Sequence, residues 1–452
     1  MAKVTVIMPC LNVARYIDKC MASVVNQTLH DIEIIVVDAG STDGTLEIIK
    51  KYAANDERIQ LVNSPKKSYG YQLNLAASMA KGEYIGIVET DDYVEGNMYE
   101  VLYENIHSTD ADYIKAGWRG FFSRNGAEWS YDDMPCQSLA EKKHITISPK
   151  DNPSLVASDR YIWSGIYQRE FFNRFRLQET PGAAFQDVGM LFQIIHEAEK
   201  GIYLREVLYN YRHDNEGASF HNPNSLTYIK NEYQALRSKF PSMSKEWEHA
   251  YYRLMSGHVY GRFFAMATQG VWVKDDATTQ WLRGELKGAL ECKILQKENY
   301  NDFSWNSLCK FIDGAEMLSS FLMDYFKPLL DIVDRICRYG AVIFGCKAHG
   351  RYINTIFHVA GMPVHAFCDN NKNEQNKIID NTKVISPEEA AELYTEAVFV
   401  LTSARYASSM GEQLVSLGIN RGDVLTEWKG YLSPKHTLWA MIYYVDKIME
   451  KR

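Results

Sequence analysis

The stretch from Tyr84 to Asp92, Tyr-Ile-Gly-Ile-Val-Glu-Thr-Asp-Asp, runs an apolar, β-rich segment directly into a cluster of carboxylates. A near-continuous apolar run of this length is what a strand buried on both faces of a parallel sheet requires. In open α/β sheets ligands bind outside the carboxyl ends of such strands, so the acidic end is expected to border a binding crevice. Two adjacent carboxylates there can share a hard divalent cation, which prefers oxygen ligands and leaves positions for phosphate oxygens. Taken alone, Asp91-Asp92 reads first as a solvated acidic turn, and it is the upstream sequence that favours the binding reading.

The flanking pattern alternates. Residues 4–8, 32–37 and 59–62 read as strands, and 16–27 as a helix with Ile17, Met21, Val24 and Val25 on one face. The turn from Asp38 to Thr45, rich in Gly, Ser and Asp, opens a second helix for which Ser41 or Thr42 is the expected N-cap. A loop over 63–70 carries Lys66 and Lys67 and leads to a helix over 73–79. Strands alternating with helices predict a doubly wound, mostly parallel sheet.

The 452 residues suffice for two or three domains. An apolar share of 46% is ordinary for a globular protein, and a net charge of −8 speaks against a nucleic-acid partner. Eight cysteines without a C-x-x-C pair suggest reduced thiols in a cytoplasmic protein. The residues before the first strand are too few for a signal peptide, and no apolar run approaches the roughly 18 residues that span a bilayer. Membrane contact is therefore expected to be peripheral, at the inner face, and self-association stays open.

Further along, 226–335 is helical in rhythm and rich in aromatic residues, without legible chemistry. Residues 341–344, 364–368 and 398–402 read as strands of a small Rossmann-like domain over 336–428, with Asp369 about where a ribose-binding acid would lie. Its turn Gly345-Cys346-Lys347-Ala348-His349-Gly350 lacks both the middle glycine of a dinucleotide fingerprint and the Lys-Ser/Thr of a P-loop. A docked helix is expected over 429–452.

Four segments, Val4–Asn12, Val36–Thr45, Ala80–Ile85 and Glu89–Asp92, resemble in order and spacing the successive motifs of family 2 glycosyltransferases, inverting enzymes of the GT-A fold. More loosely, Tyr161–Phe172 is similar to the family's next segment. Gln186-Asp187 stands where the family usually carries Glu-Asp, and Leu208–His213 with Ser219 resembles the motif closing the catalytic domain, placed here at 1–225.

The resemblance implies a nucleoside-diphosphate sugar as donor and a glycan or lipid-linked glycan as acceptor. It implies a hexosyl or N-acetylhexosaminyl transfer in surface polysaccharide or lipopolysaccharide synthesis. It also implies Mn2+ or Mg2+ on Asp92, with Asp91 at the ribose or in the second sphere and Glu89 able to replace either. Asp187 becomes the base, although a helix N-cap would suit it too. Pro9, Asn12 and Asp38 fall to nucleoside binding. Ala39 replaces the family's usual second Asp, which leaves UDP as the default base only. Lys67, with Lys66 and Tyr69, either lines the donor pocket or is solvated. His213 is a further metal ligand or a structural histidine, Arg212 approaches the diphosphate, and Trp163 stacks on an acceptor sugar or packs in the core. Two other readings stand beside this one: a bifunctional enzyme whose C-terminal domain performs nucleotide-dependent chemistry, and a transferase fold retained as a binding scaffold.

Overall fold

The computed structural model describes residues 2–136, 142–215, 222, 224–268, 270–403, 405–425, 438, 441–442 and 444–448. The chain divides into two compact units. One comprises Met1–Phe121, Ser130–Arg262 and Asp275–Ile312; the other comprises Phe122–Trp129, Phe263–Lys274 and Asp313–Arg452. The helical stretch over 226–335 contributes to both, with helices Ser225–Lys239 and Ala277–Glu291 in the first and Ala315–Tyr339 in the second.

The first sheet is built from β1 (Val4–Cys10), β2 (Ile32–Asp38), β3 (Ile59–Asn63), β4 (Tyr84–Ile87), β5 (Tyr93–Val94), β6 (Tyr113–Arg124), β7 (Ala127–Asp133), β8 (His144–Ile147), β9 (Gly165–Gln168) and β10 (Gly201–Arg212). Its order is β3-β2-β1-β4-β9-β6-β10-β5, with β7 on β6 and β8 on β10. The first four strands are parallel. Every residue of β1 and β4 is buried, which is why both read as unbroken apolar runs. From β1 the chain winds outward to β3 and returns on the other side as β4, so the direction of winding switches between β1 and β4. Beyond β4 the sheet turns mixed, because β9 enters antiparallel to both β4 and β6.

Two helix starts differ from expectation. The helix Thr45–Ala53 is preceded by Gly44 at φ 100°, a left-handed position suited to glycine, and neither Ser41 nor Thr42 caps it. Asp43 takes that work, accepting from Thr45 N at 3.1 Å and Thr45 Oγ1 at 2.6 Å. The helix Gln186–Glu197 starts after Phe185, itself left-handed at φ 68°, so Asp187 sits within the first turn rather than at the N-cap.

Beneath the sheet's mixed half lies a buried ion pair. Lys115 Nζ donates to Asp159 Oδ1 and to Tyr161 O, both at 2.5 Å, and Tyr203 Oη donates to Asp159 Oδ2 at 3.0 Å. Burial lowers the lysine pKa and raises that of the aspartate, and their attraction opposes both shifts. The pair fixes the backbone of the 159–163 segment under the site.

The second unit holds a six-stranded sheet of β11 (Ala341–Phe344), β12 (Val364–Cys368), β13 (Ile378–Ile379), β14 (Thr382–Ile385), β15 (Val398–Leu401) and β16 (Val424–Leu425), in the order β13-β14-β12-β11-β15-β16. Only the β13–β14 pair is antiparallel; the parallel strands follow the 3-2-1-4-5 progression of doubly wound sheets. Asp369 is turned to its own loops, accepting from Cys346 N at 3.2 Å and Asn371 N at 2.9 Å. Of the expected terminal helix, Leu438, Met441, Ile442 and 444–448 are helical; the remainder lies outside the described residues, as does Ser219. No helix among the described residues is long and apolar enough to cross a membrane.

Replacing Lys115 by Met strands Asp159 in the interior. The expected loss is about 3–5 kcal/mol in denaturant unfolding at neutral pH. Relative to wild type, that loss should shrink as pH falls through the raised Asp159 pKa and the carboxyl is neutralised.

Candidate active site

Registers Ile7↔Ile87 and Cys10↔Asp38 bring the ends of β1, β2 and β4 to one sheet edge. The segment after β4 is tied to β1 there, Val88 N donating to Ile7 O at 3.0 Å and Thr90 Oγ1 to Pro9 O at 2.8 Å. Pro9 thus contributes its carbonyl to the junction between the two loops. Asn12, left-handed at φ 54°, donates from its backbone to Ser41 Oγ and accepts from Thr42 N, both at 2.9 Å. It fastens the loop after β1 to the loop after β2. Asp38 is buried and accepts from Gly40 N at 2.9 Å and Ser41 N at 3.1 Å, so its carboxylate shapes the turn around Ala39. Lys67 is exposed, and its backbone carbonyl accepts from Gly182 N at 2.8 Å. Lys66 pairs with Glu179 at 2.9 Å.

The acidic run after β4 is not a solvated turn. Asp92 is buried, Oδ2 accepting from Tyr209 Oη at 2.8 Å and Oδ1 from Arg212 N at 2.6 Å. Asp91 accepts from Asn215 Nδ2 at 2.7 Å, and its carbonyl from Arg212 Nε at 3.0 Å. Glu89 accepts from Tyr69 Oη at 2.5 Å. Desolvation pushes all three carboxyls up, Glu89 to about 8; Asp91 adds its charge to the rise of both Glu89 and Asp92. The guanidinium of Arg212 lies over the rings of Tyr16 and Phe121, at 4.6 and 4.7 Å, and binds Asp214 at 3.0 Å. It supplies positive charge to a group of carboxylates that otherwise repel one another.

Asp187 enters from the helix Gln186–Glu197. The residue before it anchors that helix: Gln186 Oε1 accepts from Gly70 N at 2.9 Å, and its Nε2 donates to Gln178 O at 2.5 Å. Burial raises the Asp187 pKa to about 6, against the two backbone amides that lower it. Its charge acts in turn on Tyr69 and Glu89. Asp187 therefore belongs to the same electrostatic group as the carboxylates after β4.

Two further expected residues make packed contacts of their own. His213 Nε2 meets Tyr131 Oη at 2.7 Å, and its ring is packed among Trp118, Tyr131 and Tyr211. No group of three or more His, Cys, Asp or Glu side chains among the described residues is arranged to hold a metal ion. Trp163 is buried with Tyr209 stacked on it at 4.1 Å and Tyr161 at 4.6 Å, so its faces serve packing rather than a sugar. Conversely, no expectation attaches to the parts Tyr209 and Asn215 play, which depend on β10 lying beside β5.

A model of "Glycosyl transferase family 2" matches residues 5–177. An "uncharacterized glycosyltransferase" of Bacillus subtilis, EpsJ, is 32% identical over 232 residues, 50% of this chain and 63% of that relative. The chain thus spans just under two thirds of that protein. The glycosyltransferase GlyG of Streptococcus pneumoniae is 30% identical over 216 residues, covering 46% of this chain and 70% of GlyG. The chain belongs to glycosyl transferase family 2. Within this family, the chondroitin synthase of Pasteurella multocida is 40% identical over 98 residues, 22% of this chain and 10% of the synthase. In fold, the family 2 chain is similar to S. aureus TarS 1-349, solved in complex with UDP-GlcNAc. The TM-score is 0.54 at 17% identity, over 72% of this chain and 92% of that one. The expected GT-A architecture is thereby met.

Tyr69 Oη lowers the pKa of Glu89 by bonding its charged form. Tyr69→Phe should therefore drive Glu89 above its value of about 8, observable as a later carboxyl titration by infrared or carbon-13 NMR.

Proposed function

We propose that this glycosyltransferase moves a sugar from a nucleoside diphosphate to a glycan or lipid-linked glycan acceptor, in one displacement that inverts the anomeric carbon. The observation that carries this reading is the gathering of Asp38, Asp91, Asp92 and Arg212 at the switch between β1 and β4, with Asp187 within electrostatic reach. The donor's nucleoside lies by Pro9, Asn12 and Asp38, and UDP is the default base only, because Ala39 stands where the family usually has a second Asp. Lys67 stands near enough for its stem to approach Gly40 and border the diphosphate. Relatives that include a chondroitin synthase support a surface polysaccharide as the product.

In the reaction the acceptor hydroxyl loses its proton to Asp187. Its oxygen bonds to the anomeric carbon as the bond from that carbon to the diphosphate oxygen breaks. A base whose pKa is about 6 is ionised at neutral pH yet basic enough to take that proton. Arg212 offers charge to the departing diphosphate.

Asp91 and Asp92 suit a divalent cation. They are all-oxygen donors, both raised by burial and Asp92 further by the charge of Asp91, and Mg2+ sites commonly use one or two carboxylates with substrate phosphates completing the shell. Asp92, with Asp91 beside it, would hold Mn2+ or Mg2+; the Nε2 of His213 meets Tyr131. When bound, the ion neutralises charge on the leaving diphosphate.

Titration calorimetry with UDP, GDP and CDP, with and without Mn2+, tests the donor side. One nucleotide is expected to bind only with the ion, and Asp92→Ala to abolish that binding without loss of folding; retention of binding would remove Asp92 from the metal. On the acceptor side, Asp187→Asn should lower kcat by about 10²–10⁴-fold. Wild-type kcat/KM should fall below pH about 6, as the base is protonated.

A further inference from the structure

Across from Asp187, on the helix Ser225–Lys239, stands a second carboxyl that the reading above does not use. Glu232 is 5% exposed and, among the described residues, makes no hydrogen bond or ion pair. It lies beyond residues 5–177, the part of the chain matched by the family model. Its Oε2 rests against the backbone of Gly189, two residues after Asp187. A Cβ at that position would come within 2.4 Å of the oxygen. Glycine inside a helix costs about 1 kcal/mol relative to alanine, and a buried carboxyl without a partner costs more. A leucine or glutamine would satisfy packing at lower cost. Such an arrangement, concentrated beside a candidate base, marks a functional group rather than a packing one.

We propose that Glu232 is a positioning residue for Asp187, its carboxyl seated over Gly189 to hold the first turn of the Asp187 helix in place. This rests on the assignment of Asp187 as the base. Burial, and after it the charge of Asp187, raises the Glu232 pKa to about 8. The pair accordingly carries a single negative charge at neutral pH, located on Asp187, which must be unprotonated to act. Glu232 keeps its own proton during turnover, and the acceptor's proton goes to Asp187. Above pH about 8, Glu232 ionises, and the unpartnered charge draws water between the two helices and shifts Asp187.

The charged and titratable groups around Glu232 are few. Asp187 faces it from the helix Gln186–Glu197, with Glu89 and Tyr69 behind Asp187. On its own helix, Tyr233 bonds His258 of the helix Lys245–Thr268 at 2.8 Å, and Arg237 is paired with Glu248 at 2.6 Å. Arg160 acts on Tyr233 and His258, and burial pushes His258 down to about 3, leaving it neutral. Of these groups only Glu89, itself raised to about 8, changes charge between pH 7 and 9, and it does so alike in wild type and in a Glu232 variant, so the difference between the two reports Glu232.

The test compares kcat/KM against pH for wild type and Glu232→Gln, which is neutral at every pH. Between pH 8 and 9.5 wild type should lose activity by tenfold or more beyond any loss seen in the variant, which keeps the acid limb of Asp187. Superimposable profiles would overturn the proposal. Melting supplies a readout independent of turnover. A raised carboxyl pKa contributes stability that is complete below 4.5 and lost as pH rises through about 8. Glu232→Gln should therefore melt several degrees above wild type at pH 9 and close to it at pH 4. A melting shift with an unchanged activity profile would leave Glu232 a structural acid, and the proposal would fall. The Asp187→Asn variant separates this from the reading beneath it. Unchanged turnover there removes the base, whereas the Glu232 titration, followed by carbon-13 NMR, should still move to lower pH once the neighbouring charge is gone.

Discussion

Negative charge gathered out of water at the end of β4 is the constraint on which the first unit turns. Glu89, Asp91 and Asp92 follow one another on a loop where desolvation and mutual repulsion both oppose ionisation. What makes the arrangement tolerable is a set of donors arriving from elsewhere: the Tyr69 and Tyr209 hydroxyls, the Asn215 amide, and the main chain and guanidinium of Arg212. The hydroxyls, the amide and the Arg212 main chain hold the carboxylates, and the guanidinium holds the Asp91 carbonyl, so the loop is tied down at side chain and backbone alike. Groups held in this way at high energy are primed to accept positive charge, whether as a cation or as a proton.

The rest of the sheet serves that edge. Parallel strands β1 to β4 bring three loops to one side, and the left-handed Asn12 together with the Asp38 turn stitches two of them into a single floor. The mixed half, braced by Lys115 and Asp159, delivers β10 and the helix bearing Asp187 from the other side. The sheet edge is thus bordered by loops of early residues on one side and by β10 and the Asp187 helix on the other.

Much of this could be read from the chain. The strands over 4–8, 32–37 and 59–62 each extend by only one or two residues in the structure, and the strands over 341–344 and 364–368 match it. Runs buried on both faces announce themselves through composition alone. The caps did not, because Gly44 and Phe185 take left-handed backbone at the two helix starts and leave the neighbouring Ser, Thr and Asp to other bonds. The partners of the acidic loop were likewise hidden. Tyr209 reaches Asp92 across 117 residues through the antiparallel β5–β10 pair, a pairing two residues long on one side. Glu232 was masked by an unremarkable amphipathic helix, since nothing local distinguishes a carboxyl that faces inward.

The wide sequence separation of those contacts has a consequence for how the chain acquires its shape. Strands β1 to β4 come from the first 87 residues and can pair as soon as they leave the ribosome, whereas Arg212 lies 120 residues beyond the carboxylate its amide meets. Contacts so distant in sequence carry the largest loop-closure cost and form late. During synthesis the acidic loop accordingly remains hydrated and open on a partly assembled sheet, and the free energy of drying it is met only when β10 docks. The docking of β10 and the drying of the acidic loop are thus one event, so a chain that stops short of β10 holds the parallel strands without the partners of the carboxylates.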